Sequence, residues 1–383
     1  MRIIVKKFGG TSVGSIEQIL NIAKRLHQNM ESDCSYVIVV SAMGDTTDEL
    51  TEMAYRISKK PGKRELDMLL TAGERISMSL LSIALQEFGI VSISFTGSQS
   101  GIITDSNHGN ARIIDVTAFR IREELVKHKV VIVAGFQGVS MEKEVTTLGR
   151  GGSDTSAVAL AAYLNAEKCE IYTDVEGIYS ADPRVVKDFV KLDEINYDTV
   201  LEMAYGGAKV IHPRAVEFAK KYDIPLEVKS SFTFNPGTFI NKETNPMEEK
   251  KITSLAQKTG LFRFIVQADS IQLLQTLNNC NIDIYDFTIN GNNTIIVEKE
   301  YYQDTSACLK PFHVIEVSEV QSISIIGHRI INDIDFLMAL IQEVKSLGTE
   351  IKDIKKNAVG INLIVSTSSI EQLLNKLHKH YIN

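Results

Sequence analysis

The sequence lacks closely spaced cysteine pairs, long apolar runs and an excess of basic residues. Its four cysteines form no CxxC pair and stand far apart, at Cys34, Cys169, Cys280 and Cys308. This spacing argues against a zinc site or a disulfide framework. It predicts reduced thiols in a cytosol, buried as small apolar side chains.

Membrane and nucleic-acid functions are also disfavoured. The apolar run Ile3–Val5 is too short for a signal peptide and is followed by two lysines. No run approaches the roughly 18 apolar residues of a membrane-spanning helix. Lys plus Arg total 41 against 48 Asp plus Glu, a formal charge of −7, whereas nucleic-acid binders usually carry a basic face. We therefore expect a cytoplasmic protein with no membrane or nucleic-acid partner.

The first part of the chain alternates β-rich runs with helical patterns. The clearest helix, Ser15–Asn29, begins with a capping box formed by Ser15 and Gln18. The candidate strands are nearly continuous apolar runs, as in a parallel sheet that is buried on both faces. They are Ile3–Val5, Tyr36–Val40, Val91–Phe95, Val130–Ala134, Glu170–Thr173 and Leu226–Ser230. This alternation predicts an α/β sandwich of helices around a mainly parallel sheet.

The composition changes near residue 235, where turn signals begin. We interpret 1–240 as a catalytic domain and the polar segment 241–251 as a linker. The tail repeats a strand–helix–strand order. The predicted elements are Phe262–Val266, Ser270–Asn279 and Ile282–Phe287, then Ser322–Ile326, Asp333–Leu347, Glu350–Ile354, Ile361–Val365 and Ser369–His380. Two ferredoxin-like α+β modules, 252–320 and 321–383, fit this pattern, with a role either in sensing a ligand or in dimerisation.

Two Gly-Gly loops, each before a predicted helix, are candidate anion sites. In the first, Gly9 and Gly10 let backbone N–H groups approach a phosphate, and Lys7 adds a point charge. In the second, Arg150 offers a planar fork for a carboxylate, and Asp154 could orient a metal or a polar substrate group. Alone, a Gly-Gly loop after a strand is more often a tight turn than a phosphate site, but two such loops at two strand ends favour an anion site. Neither matches GxGxxG or GxxxxGK[ST], which excludes a Rossmann fingerprint and a Walker A loop.

Together the motifs resemble the aspartate kinase family. They are KFGGTSV (7–13), SAMGDTTDEL (41–50), TGSQSGIITD (96–105), GFQG (135–138), TLGRGGSD (147–154), TDVEGIYSADPR (173–184) and GGAKVIHP (206–213). They occur in order over residues 1–240 with family-like spacing. The resemblance implies the amino-acid kinase fold, followed by two ACT modules in the tail.

The resemblance also implies roles for individual residues. Those for ATP are Lys7, Phe8, Gly9, Gly10, Thr173, Asp174, Tyr179, Arg184 and Lys209. Those for aspartate are Ser41, Thr47, Glu74, Phe136, Arg150, Gly151 and Ser153. Lys7, Asp154 and Lys209 would be the catalytic residues, with Asp154 orienting a group or acting indirectly on Mg²⁺. Glu74 would pair with the substrate ammonium.

The implied reaction transfers the γ-phosphoryl group of ATP, with Mg²⁺, to the side chain of L-aspartate. A carboxylate with a pKa of about 3.9 is already ionised at neutral pH, so it needs no general base. The alternatives are a kinase of the same fold acting on another carboxylate, carbamate or nucleoside monophosphate, and an inactive amino-acid sensor. Glu74 argues against a substrate without a free amine, and the retained catalytic positions argue against a sensor.

The tail suggests assembly and weak regulation. ACT modules usually pair edge to edge, so we expect a homodimer or a larger even oligomer. Effector-binding loops of the family typically carry Pro-Gly. Here Gln267-Ala268-Asp269 and Gly327–Asn332 lack it, which predicts weak or altered feedback inhibition. A separate regulatory subunit starting at Met247 is a further hypothesis.

Overall fold

A computed structural model describes residues 1–208, 210–233, 235–242, 252–327, 330–366 and 370–382. These residues form two compact units. The first unit comprises the described residues of Met1–Ile178, Lys191–Leu201 and Lys209–Asn245. The second comprises those of Tyr179–Val190, Glu202–Ala208 and Pro246–Asn383. The predicted linker, including Met247, lies almost entirely outside the described residues.

The helices and strands are numbered in chain order. The strands are β1 (Arg2–Phe8), β2 (Cys34–Val40), β3 (Ser92–Phe95), β4 (Ile102–Thr104), β5 (Ile113–Val116), β6 (Val130–Ala134), β7 (Gln137–Ser140), β8 (Val145–Thr147), β9 (Lys168–Thr173), β10 (Ile178–Tyr179), β11 (Lys191–Leu192), β12 (Glu194–Asn196), β13 (Leu226–Ser230), β14 (Thr238–Asn241), β15 (Ser254–Gln267), β16 (Asp286–Asn290), β17 (Asn292–Glu298), β18 (His313–Ile326), β19 (Ile351–Lys356) and β20 (Gly360–Ser366). The α-helices are α1 (Ile16–Asn29), α2 (Thr46–Ile57), α3 (Lys63–Leu70), α4 (Ala72–Glu87), α5 (Phe119–Val126), α6 (Gly152–Leu164), α7 (Tyr197–Tyr205), α8 (Pro213–Tyr222), α9 (Ser270–Asn279), α10 (Tyr302–Cys308), α11 (Ile334–Ser346) and α12 (Ile370–Tyr381).

A mainly parallel sheet forms the centre of the first unit and confirms the predicted fold class. Its order is β12-β14-β13-β9-β1-β2-β6-β3, and the pairs from β13 to β3 are parallel. The apolar core contains Ile38 and Val40 of β2 together with residues of α1 and α4. Side chains alternate along a strand, and Val39 accordingly points the other way, towards Gly135 beside α6. The helices therefore cover both faces of the sheet.

Most predicted elements of this unit are confirmed. β6 and β13 have the predicted bounds, and α1 begins after Ser15, whose hydroxyl accepts from the Gln18 N–H at 3.3 Å. The sequence did not predict a small second sheet of order β5-β4-β7-β8. Its strands have only three or four residues, which is too short for a periodic pattern.

One antiparallel sheet of six strands forms the centre of the second unit, in the order β16-β17-β15-β18-β20-β19. The elements β15-α9-β16-β17-α10 and β18-α11-β19-β20-α12 follow the same order, so the predicted internal repeat is present. β15 and β18 pair from Ser254↔Ile326 to Gln267↔His313 and join the two copies into one sheet. The proposed module boundaries stay predictions.

Several tail predictions need correction. The strand predicted at Ile282–Phe287 begins only at Asp286, β17 was missed, and β18 starts well before the predicted Ser322. The expectation of reduced, buried thiols is wrong for one pair. Cys280 and Cys308 are disulfide-bonded, with Cα atoms 6.6 Å apart, at the ends of α9 and α10. A separation of 28 residues carries no pairing signal, because the packing of the two helices brings these cysteines together.

One helical stretch, Lys63–Glu87, is long and apolar enough to cross a membrane by length and composition alone. The sequence analysis did not predict this stretch, because polar residues divide it into short apolar runs. In the folded protein, 56% of its most apolar 18-residue segment is buried. That burial is typical of a helix in a protein core.

Candidate active site

The candidate site lies where parallel strands of the first unit end. The carboxyl ends of β1, β2, β6, β9 and β13 meet at one edge of the sheet, which is the usual ligand-binding edge of such sheets. Backbone hydrogen bonds of 2.9–3.2 Å connect the loops there: Ser41 N–H to Phe8 O, Gly44 to Gly10, Gly135 to Val40, Gly9 to Tyr172 and Ser231 to Thr173. The loops that carry most of the predicted site residues are therefore held against one another.

The turn after β1 requires glycine because another loop packs against it. A Cβ on Gly10 would lie 3.0 Å from the Ala42 carbonyl oxygen and 3.3 Å from that of Gly44. Phe8 is fully buried and stacks on Tyr172 with ring centroids 4.6 Å apart. Only the backbone of Phe8 could therefore face a ligand. The hydroxyl groups of Ser12 and Ser231 hydrogen-bond at 2.8 Å. Sequence reasoning missed this pair, because Ser231 lies outside every recognised motif and only the fold brings it to Ser12.

Lys7 and Asp154 form the charged centre of the site. The Lys7 Nζ atom lies 2.6 Å from Asp154 Oδ1, and both side chains are only about a tenth exposed, at 12% and 11%. The contact has the distance of an ion pair, although its direction does not make it a hydrogen bond. Asp154 belongs to the first turn of α6, where the helix dipole stabilises a negative charge. Asp154 therefore fixes the position of the Lys7 ammonium group.

The start of α6 depends on two glycines in the left-handed region. Gly149 has φ +75° and Gly151 has φ +67°, and they flank the exposed Arg150. A Cβ on Gly151 would overlap the His212 ring. His212 caps α8, accepting from the Arg214 N–H at 3.3 Å, and burial lowers the pKa of its imidazole. This arrangement leaves Arg150 exposed at the tip of the loop.

Glu74 is the most unusual carboxylate of the site. It lies in the first turn of α4, is 3% exposed, and accepts the Ala42 N–H at 3.2 Å through Oε1. Its Oε2 atom is buried and has no hydrogen-bond partner among the described residues. Burial raises the pKa of Glu74 to about 7. A buried acceptor without a partner is costly, and a ligand ammonium group would satisfy it.

Other predicted substrate residues surround this edge. The Ser41 carbonyl accepts from Ser77 Oγ at 2.6 Å, and Thr47 lies in the first turn of α2. Phe136 has a positive φ of 67°. Its N–H donates to Ser156 Oγ at 3.1 Å, and its carbonyl accepts from the Leu148 N–H at 2.8 Å. Ser153 is 9% exposed, in the first turn of α6.

The predicted nucleotide residues fall into two groups. Thr173 and Asp174 lie in the first unit, at the end of β9, with a 3.0 Å hydrogen bond between their side chains. Tyr179 and Arg184 belong to the second unit. The Tyr179 ring packs edge-on against Phe189 at 5.0 Å, and Arg184 pairs with Asp182 at 2.7 Å. Lys209 lies outside the described residues.

The comparison with known proteins agrees with this geometry. Residues 2–230 match the amino acid kinase family. The chain is 41% identical to an aspartokinase of Geobacillus stearothermophilus, over 100% of this chain and 97% of that protein. It is 42% identical to aspartokinase 2 of Bacillus subtilis, over 99% and 97%.

The chain belongs to the aspartokinase family. Its fold matches the crystal structure of Escherichia coli aspartokinase III in complex with aspartate and ADP, with a TM-score of 0.85 over 100% of both chains at 24% identity. An aspartokinase is a phosphotransferase that uses a nucleotide. The recognition of the family from its motifs is thus confirmed, whereas the roles of individual residues stay predictions.

A three-residue group of potential metal ligands within the described residues has a different position. Glu31, Asp33 and Cys34 lie around the start of β2, at the opposite edge of the sheet from the candidate site. Arg2 pairs with Glu31 at 3.1 Å and with Asp33 at 2.8 Å. Arg2 also pairs with Glu167 at 2.8 Å, so this group belongs to a surface ion-pair network around one guanidinium group.

Proposed function

We propose that this aspartokinase transfers the γ-phosphoryl group of ATP to the side-chain carboxylate of L-aspartate and forms 4-phospho-L-aspartate and ADP. The observation that carries the proposal is the buried Glu74 carboxylate with its unpartnered Oε2, at the same sheet edge as the Lys7–Asp154 pair. A substrate with a free α-amine would satisfy that oxygen. The full-length similarity to proteins named aspartokinase supports the same reaction.

In this proposal, the substrate is held through its ammonium group and a carboxylate. Glu74 accepts the α-ammonium group, and Arg150 binds a carboxylate through two parallel hydrogen bonds. Ser41, Thr47, Phe136, Gly151 and Ser153 complete the aspartate site. Arg150 suits this role because it lies exposed between two glycines, at the start of α6.

The chemical step needs charge compensation and no general base. The bond between the γ-phosphorus and the bridging oxygen of ATP breaks as a carboxylate oxygen bonds to that phosphorus. Lys7, Lys209 and the Gly10 N–H offset the charge of the transferring group. Gly9, whose N–H donates to the Tyr172 carbonyl, shapes the turn that the phosphates approach. Asp154 orients Lys7 through their 2.6 Å ion pair. In the first unit, the nucleotide would also contact Thr173, Asp174 and the backbone of Phe8. The roles of Tyr179 and Arg184 in nucleotide binding stay predictions from the family resemblance.

A magnesium ion fits the donor set of this edge. Mg²⁺ in kinases takes few protein ligands and is held mainly by phosphate oxygens and water, so Asp154 need not bind it directly. When bound, the ion would neutralise charge on the phosphates. Asp154 would reach it indirectly, since its Oδ1 is engaged by Lys7.

The same proposal covers the pathway and the assembly. The product would feed the synthesis of aspartate-derived amino acids such as lysine, threonine and methionine, including diaminopimelate. The tail copies would be ACT modules that pair into a homodimer or larger even oligomer. A cytoplasmic location follows from the need for ATP and aspartate.

A hydroxamate assay tests the proposed reaction. Hydroxylamine traps acyl phosphates, so purified protein with ATP, Mg²⁺ and L-aspartate should give a coloured hydroxamate. The parallel reactions contain L-glutamate, N-acetyl-L-glutamate and no amino acid. Product with N-acetyl-L-glutamate and none with aspartate would refute the assignment.

A further inference from the structure

Asp67 is a buried carboxylate that the proposed chemistry does not use. It lies on α3, is 1% exposed, and accepts the Thr147 hydroxyl at 2.6 Å. The Gly109 N–H donates to it at 3.1 Å, and His108 Nδ1 lies 2.7 Å from it. A buried charge is tolerated only with such partners. Asp67 therefore connects α3 to two segments that are distant in sequence.

The first of these segments is a closed loop after β4. Asp105 Oδ1 accepts the N–H groups of Asn107 and Arg112, at 3.2 and 3.0 Å, and so fixes the conformation of the loop. The loop packs against Gly149, where a Cβ would lie 3.1 Å from the carbonyl oxygen of Gly109. The residue before Arg150 is thus supported directly by the loop that Asp67 holds.

The second segment leads into Arg150 and has an additional support. The Arg214 guanidinium group donates to the carbonyl oxygens of Leu148, at 2.8 Å, and Ala111, at 2.6 Å. The Ala111 N–H donates to the Thr147 carbonyl at 2.8 Å. The backbone is therefore fixed up to Leu148, and Arg150 is the second residue beyond that point.

Asp67 is also close in the chain to Glu74. The Thr71 N–H donates to the Asp67 carbonyl at 3.1 Å, and the Thr71 carbonyl accepts from Gln137 Nε2 at 3.2 Å. Thr71 is the residue between α3 and α4, and Glu74 follows in the first turn of α4. One side chain thus links the helix pair that carries Glu74 to the loop that carries Arg150.

We propose that Asp67 is a positioning residue for amino-acid recognition, which sets the separation of Arg150 from Glu74. The inference rests on the proposed function, in which these two residues bind the ammonium group and a carboxylate of aspartate. A separation fixed in this way lets one substrate molecule contact both residues at once. Asp67 and its partner Thr147 therefore act on the affinity for aspartate without touching the substrate.

Thr147→Val is the central test, because it removes the hydroxyl that donates to Asp67 and keeps the shape of the side chain. Small displacements of a positioned group can cost up to about 100-fold, so we expect KM for aspartate to rise roughly tenfold or more. KM for ATP should stay within about twofold. Asp67→Ala should have the same effects, and Asp67→Asn, which keeps an acceptor oxygen, should have weaker ones.

The neighbouring residue offers a matched control. The Thr146 hydroxyl is buried and lies 2.6 Å from Thr104 Oγ1, with no contact to Asp67. Thr146→Val should lower the melting temperature about as much as Thr147→Val and leave KM for aspartate unchanged. An unchanged KM in folded Thr147→Val, or equal rises in both threonine variants, would refute the positioning role. A wild-type enzyme without aspartate-dependent product would instead refute the proposed function, and the positioning role with it.

Discussion

Binding of aspartate is expected to release a proton from Glu74. Burial raises the pKa of this carboxyl from its ordinary 4.5 to about 7 in the empty site. An ammonium group beside it would favour the charged form and lower the pKa again. At about pH 6 the empty protein mostly carries the proton and the complex does not. Nearly one proton should therefore leave per aspartate bound at about pH 6, and almost none at about pH 8.5.

The pH dependence of the affinity for aspartate follows from the same pKa. A rise from 4.5 to about 7 corresponds to roughly 3 kcal/mol. If the complex regains most of this free energy, the affinity for aspartate falls about tenfold for each pH unit below 7. The dependence should level off near the ordinary pKa of glutamate.

Isothermal titration calorimetry measures the proton release directly. Titrations at about pH 6, in two buffers with different ionisation enthalpies, give the number of protons transferred. Glu74→Gln is the control, because it keeps the side-chain shape and cannot titrate. Absence of proton release from the wild type at about pH 6, or the same release from the Gln variant, would refute the reasoning.

The same group makes the stability of the empty protein depend on pH. Since the folded-state pKa is raised, its stabilising contribution is complete below about pH 4.5 and is lost as the pH rises through about 7. Between about pH 5 and pH 8, wild-type protein should lose up to about 3 kcal/mol relative to Glu74→Gln. Urea unfolding of both proteins measures this difference, and parallel pH curves would contradict it.

Four further predictions concern the chemical step, substrate binding, assembly and regulation. Lys7→Ala should lower kcat by about 100-fold or more, because Lys7 acts on charge in the transferring group. Arg150→Ala should mainly raise KM for aspartate, by roughly tenfold to 100-fold; an unchanged KM would exclude the carboxylate-binding role. Light scattering should give the mass of a dimer or a larger even oligomer. A solution that contains the 42.6 kDa monomer alone would contradict this prediction. The enzyme's activity should change little with millimolar lysine, threonine or methionine. The reason is that Asp269, the acidic residue of the first effector loop, is engaged as the N-cap of α9 and accepts the Gln272 N–H at 3.0 Å. Strong inhibition by lysine would refute this prediction.

The central sheet could be predicted because its strands carry their own signal. A strand buried on both faces, such as β6, must be apolar along its whole length. The short strands of the second sheet, including β4 and β8, have no such requirement and were missed. β18 alternates between exposed and partly buried residues over its first half, so only its buried end was recognised.

The site could be predicted only where its residues form a motif. Lys7, Arg150 and Asp154 lie in glycine-rich loops before helices, which indicates an anion site without knowledge of the fold. Glu74 was found only through the family resemblance, because a glutamate in the first turn of a helix is usually solvent-exposed. The contacts of Asp67 span about 80 residues of sequence, so they depend on tertiary packing that no local pattern encodes.

Identification of the phosphorylated carboxylate tests the central claim most directly. The enzyme is incubated with ATP, Mg²⁺ and L-aspartate, the acyl phosphate is reduced with borohydride, and the resulting alcohol is analysed by mass spectrometry and chromatography. Transfer to the side chain gives homoserine, which is the result that we predict. Formation of 3-amino-4-hydroxybutanoate, or of no alcohol from aspartate, would contradict the account.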